Sequence, residues 1–125
     1  MVITTTQLYS ANAKFLAGSG YNVIDITVKS GIRMFAPTWD MVMGHKDGNM
    51  SEAEYTSIYH NMMKRSYVNN KASWEALLLT LSTKPIALAC FCRPDNFCHR
   101  NLLKGYLLKV AKKMEIVAVG FDERD

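Results

Sequence analysis

Two hydrophobic periods alternate along the chain, and the switches between them mark its elements. Residues 2–6 are a short β-branched run and predict a strand. Residues 9–17 predict a short helix, stopped by Gly18, Ser19 and Gly20. In residues 23–28, Ile24, Ile26 and Val28 share one face while Val23, Asp25 and Thr27 share the other, which predicts a second strand. Thr38 is placed to cap a short helix over residues 39–43, and residues 45–49 read as a polar turn. Ser51 with Glu54 has the spacing of a capping box. From there Tyr55, Ile58, Tyr59, Met62 and Met63 recur at helical spacing, so a helix is expected to about Val68. Asn69 and Asn70 break it. Trp74, Leu77, Leu78 and Leu81 mark a further helix that closes before Pro85. Residues 86–92 are a continuous apolar run that fits a buried central strand. After a loop over residues 93–97, Leu103, Tyr106, Leu107 and Val110 stripe a helix from about Cys98 to Lys113. Lys109, Lys112 and Lys113 fall in its last turns, where cations suit the helix dipole. Residues 116–121 predict the last strand.

Strands separated by helices argue a parallel sheet covered on both faces. The expected fold class is α/β: a small three-layer Rossmann-like fold with a mostly parallel sheet of about four strands. With 125 residues, one domain over residues 1–125 is expected, long enough to bury a core without staples. Apolar residues at 49% and charged residues at 21% exclude a disordered chain. No apolar run reaches the roughly 18 residues needed to span a bilayer, so no membrane partner is expected. The first residues lack the basic and apolar regions of a signal peptide. The three cysteines are odd in number and clustered, unlike a secreted disulfide framework, so reduced thiols and a cytoplasmic location are expected. The net charge of +4 permits a phosphate-bearing partner without demanding one.

The chemistry concentrates in one stretch, CFCRPDNFCHR, which holds all three cysteines, one of three histidines and two of five arginines. On the expected fold it spans the carboxyl end of a central strand, a loop and the first turn of a helix. Ligands of open α/β sheets bind at that edge. The unpaired amides of a first helical turn welcome anions, and Arg93 and Arg100 add charge that can grip a phosphate bidentately. Cys98 beside this helix start has the features that lower a thiol pKa. His99 is a general acid or base for a ligand across the helix end, although adjacent helical residues diverge by about 100°, so contact with Cys98 is not required. Cys90 alternates with Ile86 and Leu88 and reads as core; Cys92, at the strand end, can face the site. A Cys₃His metal site from Cys90, Cys92, Cys98 and His99 has the right count. Its weakness is that two residues i and i+2 of an extended strand lie roughly 6.5–7 Å apart, too far for two sulfurs on one zinc ion. The thiol-phosphatase spacing fails, because six residues beyond Cys92 stands Cys98 and not arginine.

Outside the cluster, Trp39, Tyr55 and Tyr59 are candidates to stack a flat ring, with Tyr55 and Tyr59 also suited to the core. Lys46 is placed to reach a phosphate. Asp25, inside an apolar strand, needs a partner if buried, and Arg33 is the candidate. Lys104, Lys109, Lys112 and Lys113 suit a solvated helix face more than a nucleic-acid backbone.

The stretch IALACFCRPDNFCHRNLLKGYLL resembles the family known as domain of unknown function 488. That family is marked by an apolar strand ending in a cysteine, here Cys90, and a Cys-His-Arg triplet opening a helix, here Cys98, His99 and Arg100. Pro37 with Trp39, and Lys46, Gly48, Ser51, Tyr55 and Tyr59, resemble the branch common in bacteriophages. One departure is Cys92, where many members carry a glutamate. The resemblance implies the α/β fold and the location of the site but no reaction. The reading expected from all this is a ligand site for a nucleotide or nucleotide derivative around Cys98, His99 and Arg100, with thiol or histidine chemistry and no cofactor. Arg93, Cys92, Trp39, Tyr55 and Lys46 would be its further contacts. The competing expectation is a non-catalytic accessory protein of a phage-infected host that binds a host protein or nucleic acid, with the cysteines structural or metal-binding.

Overall fold

The computed structural model describes residues 1–93 and 96–121. Among these residues, strands β1 (Val2–Gln7), β2 (Asn22–Asp25), β3 (Ile86–Cys90) and β4 (Val119–Gly120) form one sheet in the order β2-β3-β1-β4. Every pairing in it is parallel. Five helices join the strands: α1 (Ala11–Gly18), α2 (Trp39–Lys46), α3 (Glu52–Asn69), α4 (Lys71–Leu81) and α5 (His99–Lys113). The small three-layer α/β architecture is the expected one.

The layers follow from the strand order. The step from β1 to β2 runs one way across the sheet, and the steps from β2 to β3 and from β3 to β4 run the other way. Right-handed crossovers therefore put α1 on one face and the later helices on the other. Packing agrees: α1 lies on β1, β2 and β3, while α5 lies on β1, β3 and β4 and carries α3 against it. Adjacent threonines of β1 report the two faces. The Thr6 hydroxyl accepts from Asn12 of α1 at 2.9 Å, and the Thr5 hydroxyl donates to Asn101 of α5 at 3.4 Å. β3 is buried along its whole length, as a central strand must be. Ile86, Leu88 and Cys90 share the α5 face with Ile3 and Thr5, their register partners being on β1.

Caps set the helix starts. Ser10 accepts from Ala13 N–H, Thr38 from Met41 N–H, and Ser51 with Glu54 completes the capping box. Between α3 and α4 the core is aromatic. Trp74 is fully buried, with Phe35, Tyr67 and Tyr106 meeting it edge-on at centroid distances of 5.0, 5.8 and 5.6 Å. Each such side chain contributes roughly 1.5–3 kcal/mol by leaving water.

Five elements have bounds that differ from those expected by two residues or more. α1 starts at Ala11 and not at Tyr9, because Tyr9 is left-handed with φ 62° and Ser10 caps behind it. α2 runs on through His45 and Lys46, which read as a turn in the sequence. β3 stops at Cys90, two residues early, and β4 is reduced to two residues. β2 stops at Asp25 instead of Val28. There the Asp25 carboxylate accepts from Thr27 N–H at 2.8 Å and from the Ser30 hydroxyl, and the Thr27 hydroxyl accepts from Ser30 N–H at 3.1 Å. Side-chain bonds thus replace the ladder and close a turn. They also answer the question of Asp25's partner: it is bonded within its own turn, while Arg33 is exposed. Burial raises the Asp25 pKa, and the bonds from Ser30 and Thr27 outweigh it, leaving the carboxyl below its ordinary value. Gly31 lies against this turn. A Cβ there would stand 2.6 Å from the Ile26 carbonyl carbon and 2.7 Å from the Asp25 oxygen, a space no side chain can share. Among the described residues, no helix is long and apolar enough to cross a membrane.

Candidate active site

The chain leaves the end of β3 in a bend, and its carbonyls are tied down one after another. Cys90 O accepts from Leu8 N–H at 2.7 Å, and Phe91 O accepts from the Gln7 side chain at 3.2 Å. Cys92 O and Arg93 O accept from the Arg100 guanidinium at 2.8 and 2.7 Å. Arg100 is fully buried. Its fork was expected to grip a ligand; in the structure it donates to these two loop carbonyls from a buried position. Residues 94 and 95 of the expected loop lie outside the described residues.

The bend has a direct chemical consequence. Because β3 ends at Cys90, Cys92 is not two residues further along an extended strand but folded back, with the two sulfurs 4.0 Å apart. Cys98, the N-cap of α5, brings in the third, and all three sulfurs lie within 4.8 Å of one another. The strand-spacing objection to a shared ion therefore falls. All three cysteines are free thiols; Cys90 and Cys98 are buried and Cys92 is half-buried. Hydrogen bonding with Cys92 and Cys98 favours thiolate at Cys90 and pushes its pKa down. The same contacts push Cys98 up, with burial adding to the effect. Helix position alone suggested Cys98 as the readily ionised thiol; its neighbours reverse that order.

His99 touches Cys98 after all. Its Nδ1 is 3.6 Å from the Cys98 sulfur. The 100° divergence of neighbouring helical residues does not apply, since Cys98 is extended at φ −156°, ψ 150° and only His99 is helical. The other ring nitrogen, Nε2, lies 2.6 Å from Ile26 O. A carbonyl can only accept, so Nε2 carries the hydrogen and Nδ1 presents a lone pair to Cys98. Burial lowers the pKa of His99, which keeps the ring neutral in this tautomer. The pair is thus a thiol, a proton acceptor and a carbonyl that orients the acceptor.

These groups form one end of an apolar cavity of about 190 Å³ at the carboxyl ends of β2 and β3. Its walls are the turn Thr27, Val28 and Lys29, the α2 face Trp39, Val42 and His45, and Tyr55, Phe91 and Phe97. Three rings interlock there: His45 and Phe97 at 5.0 Å, Tyr55 and Phe97 at 5.3 Å, His45 and Tyr55 at 5.9 Å. Burial, and then the nearby thiols, push the Tyr55 pKa well up, so its phenol stays neutral.

Of the residues expected at the site, the structure brings together Cys90, Cys92, Cys98, His99, Trp39 and Tyr55. Tyr59 is core, its hydroxyl donating to Phe35 O at 2.6 Å. Lys46 and Arg93 are exposed and follow the lining residues His45 and Cys92 without lining the cavity themselves. His45 and Val42 were missed. Trp39, Val42 and His45 are spaced three apart, the signature of one helical face, and ending α2 at Met43 concealed it. Thr27 and Val28 were missed because they read as strand, and Lys29 just beyond them was missed too.

Residues 20–111 match the family model DUF488-N3a, described as the active DUF488-N3 subclade. No curated protein and no solved structure shows a significant match. The match takes in β2, α2, α3, α4, β3 and nearly all of α5, with every thiol, aromatic and histidine group of the cavity. On that evidence the chain belongs to the DUF488 family, in its DUF488-N3a subclade.

Proposed function

We propose that this protein binds the flat ring of a nucleotide or nucleotide derivative in the cavity, and that Cys98 and His99 act on it. The observation that carries this reading is the composition of the cavity: aromatic walls with a thiol–imidazole pair at one end. An apolar cavity of about 150 Å³ takes a benzene ring, so about 190 Å³ suits one flat ring. Trp39, half exposed at the rim, offers a stacking face. The charged part of the ligand would remain outside, where Lys29, Lys46 and Arg93 stand exposed on the segments that border the opening. Arg100 has a different part in this reading: it holds the loop and so positions Cys92. The subclade's description as active supports chemistry beyond binding.

The two tryptophans make the test direct. Trp39 is at the rim and Trp74 is in the core, so a Trp74→Phe background reports on the rim alone. Nucleotides, nucleosides and dinucleotides are titrated into that protein under reducing conditions. At least one class quenches Trp39 fluorescence and is confirmed by calorimetry on the wild type. Trp39→Ala weakens its binding by about tenfold or more, since base–aromatic stacking is worth about 1–3 kcal/mol. Absence of binding across the panel at millimolar concentration overturns the proposal.

A further inference from the structure

We infer that Cys90, Cys92 and Cys98 form a trithiolate site for one zinc ion, with the ion's fourth position opening into the aromatic cavity.

Geometry comes first. A tetrahedral zinc with a Zn–S length of about 2.3 Å separates its sulfurs by about 3.8 Å. Here Cys90 and Cys92 are at 4.0 Å, and Cys98 completes the set within 4.8 Å. The 4.0 Å pair is within about 0.2 Å of that separation, and no pair exceeds it by more than about 1 Å. Among the described residues this is the one group of three metal-ligating side chains so placed.

The backbone around it is already fixed. The four consecutive carbonyls from Cys90 to Arg93 are each bonded, two of them to the buried Arg100. These bonds hold in place the bend that brings Cys92 back toward Cys90. Three thiolates also select the ion by chemistry, since sulfur favours zinc over the hard cations. Uptake replaces S–H by S–Zn at the protonated thiols and releases those protons to water. Arg100, bonded to the loop carbonyls, supplies positive charge near the surplus negative charge of three thiolates on a divalent ion.

The fourth position decides what the ion is for. All three cysteines line the cavity, and the His99 nitrogens are directed to Cys98 and Ile26. The remaining direction points into the cavity. Three protein ligands and one open position are the arrangement of catalytic zinc. With zinc bound, Cys98 is a ligand and no longer the free thiol beside His99, and a water in the fourth position would instead face the ring that the proposed function places in the cavity. This part rests on that reading; the three-sulfur site does not.

The test uses the full chain, reduced and stripped with a chelator under anaerobic conditions, and titrated with cobalt(II). The expected result is a sulfur-to-cobalt charge-transfer band with intense visible absorption, saturating at one ion per chain and lost on adding zinc. Cys92→Ser is the first variant, because Cys92 is half-exposed and its loss leaves the buried core intact. It is expected to weaken cobalt affinity by about a hundredfold, the upper end of what even outer-shell losses cost. Cys98→Ala, checked for folding by circular dichroism, does the same. Absence of the band in the wild type, or its persistence unchanged in Cys92→Ser, overturns the inference. The Trp39 titration on chelator-treated protein keeps the two proposals apart: ring binding without cobalt binding removes only the zinc site, and cobalt binding without ring binding removes only the proposed ligand.

Discussion

Two aromatic clusters sit on the same side of the sheet, and they differ in one respect. Around Trp74, the rings of Phe35, Tyr67 and Tyr106 meet edge-on and leave no space. Around Phe97, the rings of Tyr55 and His45 meet at similar distances but enclose a cavity ending in thiols. Tyr55 and Tyr59, one turn apart on α3, stack at 6.4 Å; Tyr55 lines the cavity, while Tyr59 is fully buried and reaches the Trp74 side through its bond to Phe35 O. The same residue types at the same spacing thus build a filled core and an open site. What separates them is which neighbouring segments close over them, a property of the fold and not of the helix.

The sharpest way to break this comparison is to truncate one ring from each cluster. Trp74→Ala is expected to lower unfolding free energy by about 3–5 kcal/mol, whereas Trp39→Ala stays within about 0.5 kcal/mol because the residue is half exposed. Urea denaturation reads both, and comparable losses would show that the cavity cluster is core. Next in size is Gly31→Ala. The added methyl meets backbone that cannot yield, at a cost of about 3 kcal/mol. It also displaces the Ile26 carbonyl that orients His99, so the histidine Nε2 proton should move in a ¹H–¹⁵N spectrum. The smallest effect separates the two tyrosines. Tyr59→Phe leaves Phe35 O unsatisfied in the core and costs about 1–2 kcal/mol, while Tyr55→Phe changes stability by less than about 0.5 kcal/mol.

Much of the fold was legible because periodicity and caps are local. Ser51 with Glu54 announced α3, and the apolar run ending in Cys90 announced the central strand. The location of the site followed from the same reasoning, since the carboxyl end of a central strand is where α/β sheets bind ligands. The inner arrangement was not legible, because it depends on contacts between distant residues. Nothing near Arg100 in sequence indicates that it turns inward to hold Cys92 and Arg93. Nothing near His99 indicates a bond to Ile26, 73 residues away. The reversal between Cys90 and Cys98 has the same origin: a thiol's ionisation is set by what surrounds it in space, and here that is two other thiols. Val42 and His45 are the exception, since three-residue spacing from Trp39 would have revealed them had the helix been extended.

The strand order carries a consequence for how the chain acquires this structure. β3 lies between β1 and β2, and β4 is later still, so none of the strand pairs can form until residues 86–90 exist. During synthesis the first 85 residues hold two strands with nothing to pair with. Their helices can form early, but the sheet waits for a long-range closure, which makes for slow folding. The segment that ends this wait is the one that finishes in Cys90. The nucleus of the sheet and the floor of the site are laid down together, and a nascent chain has neither or both.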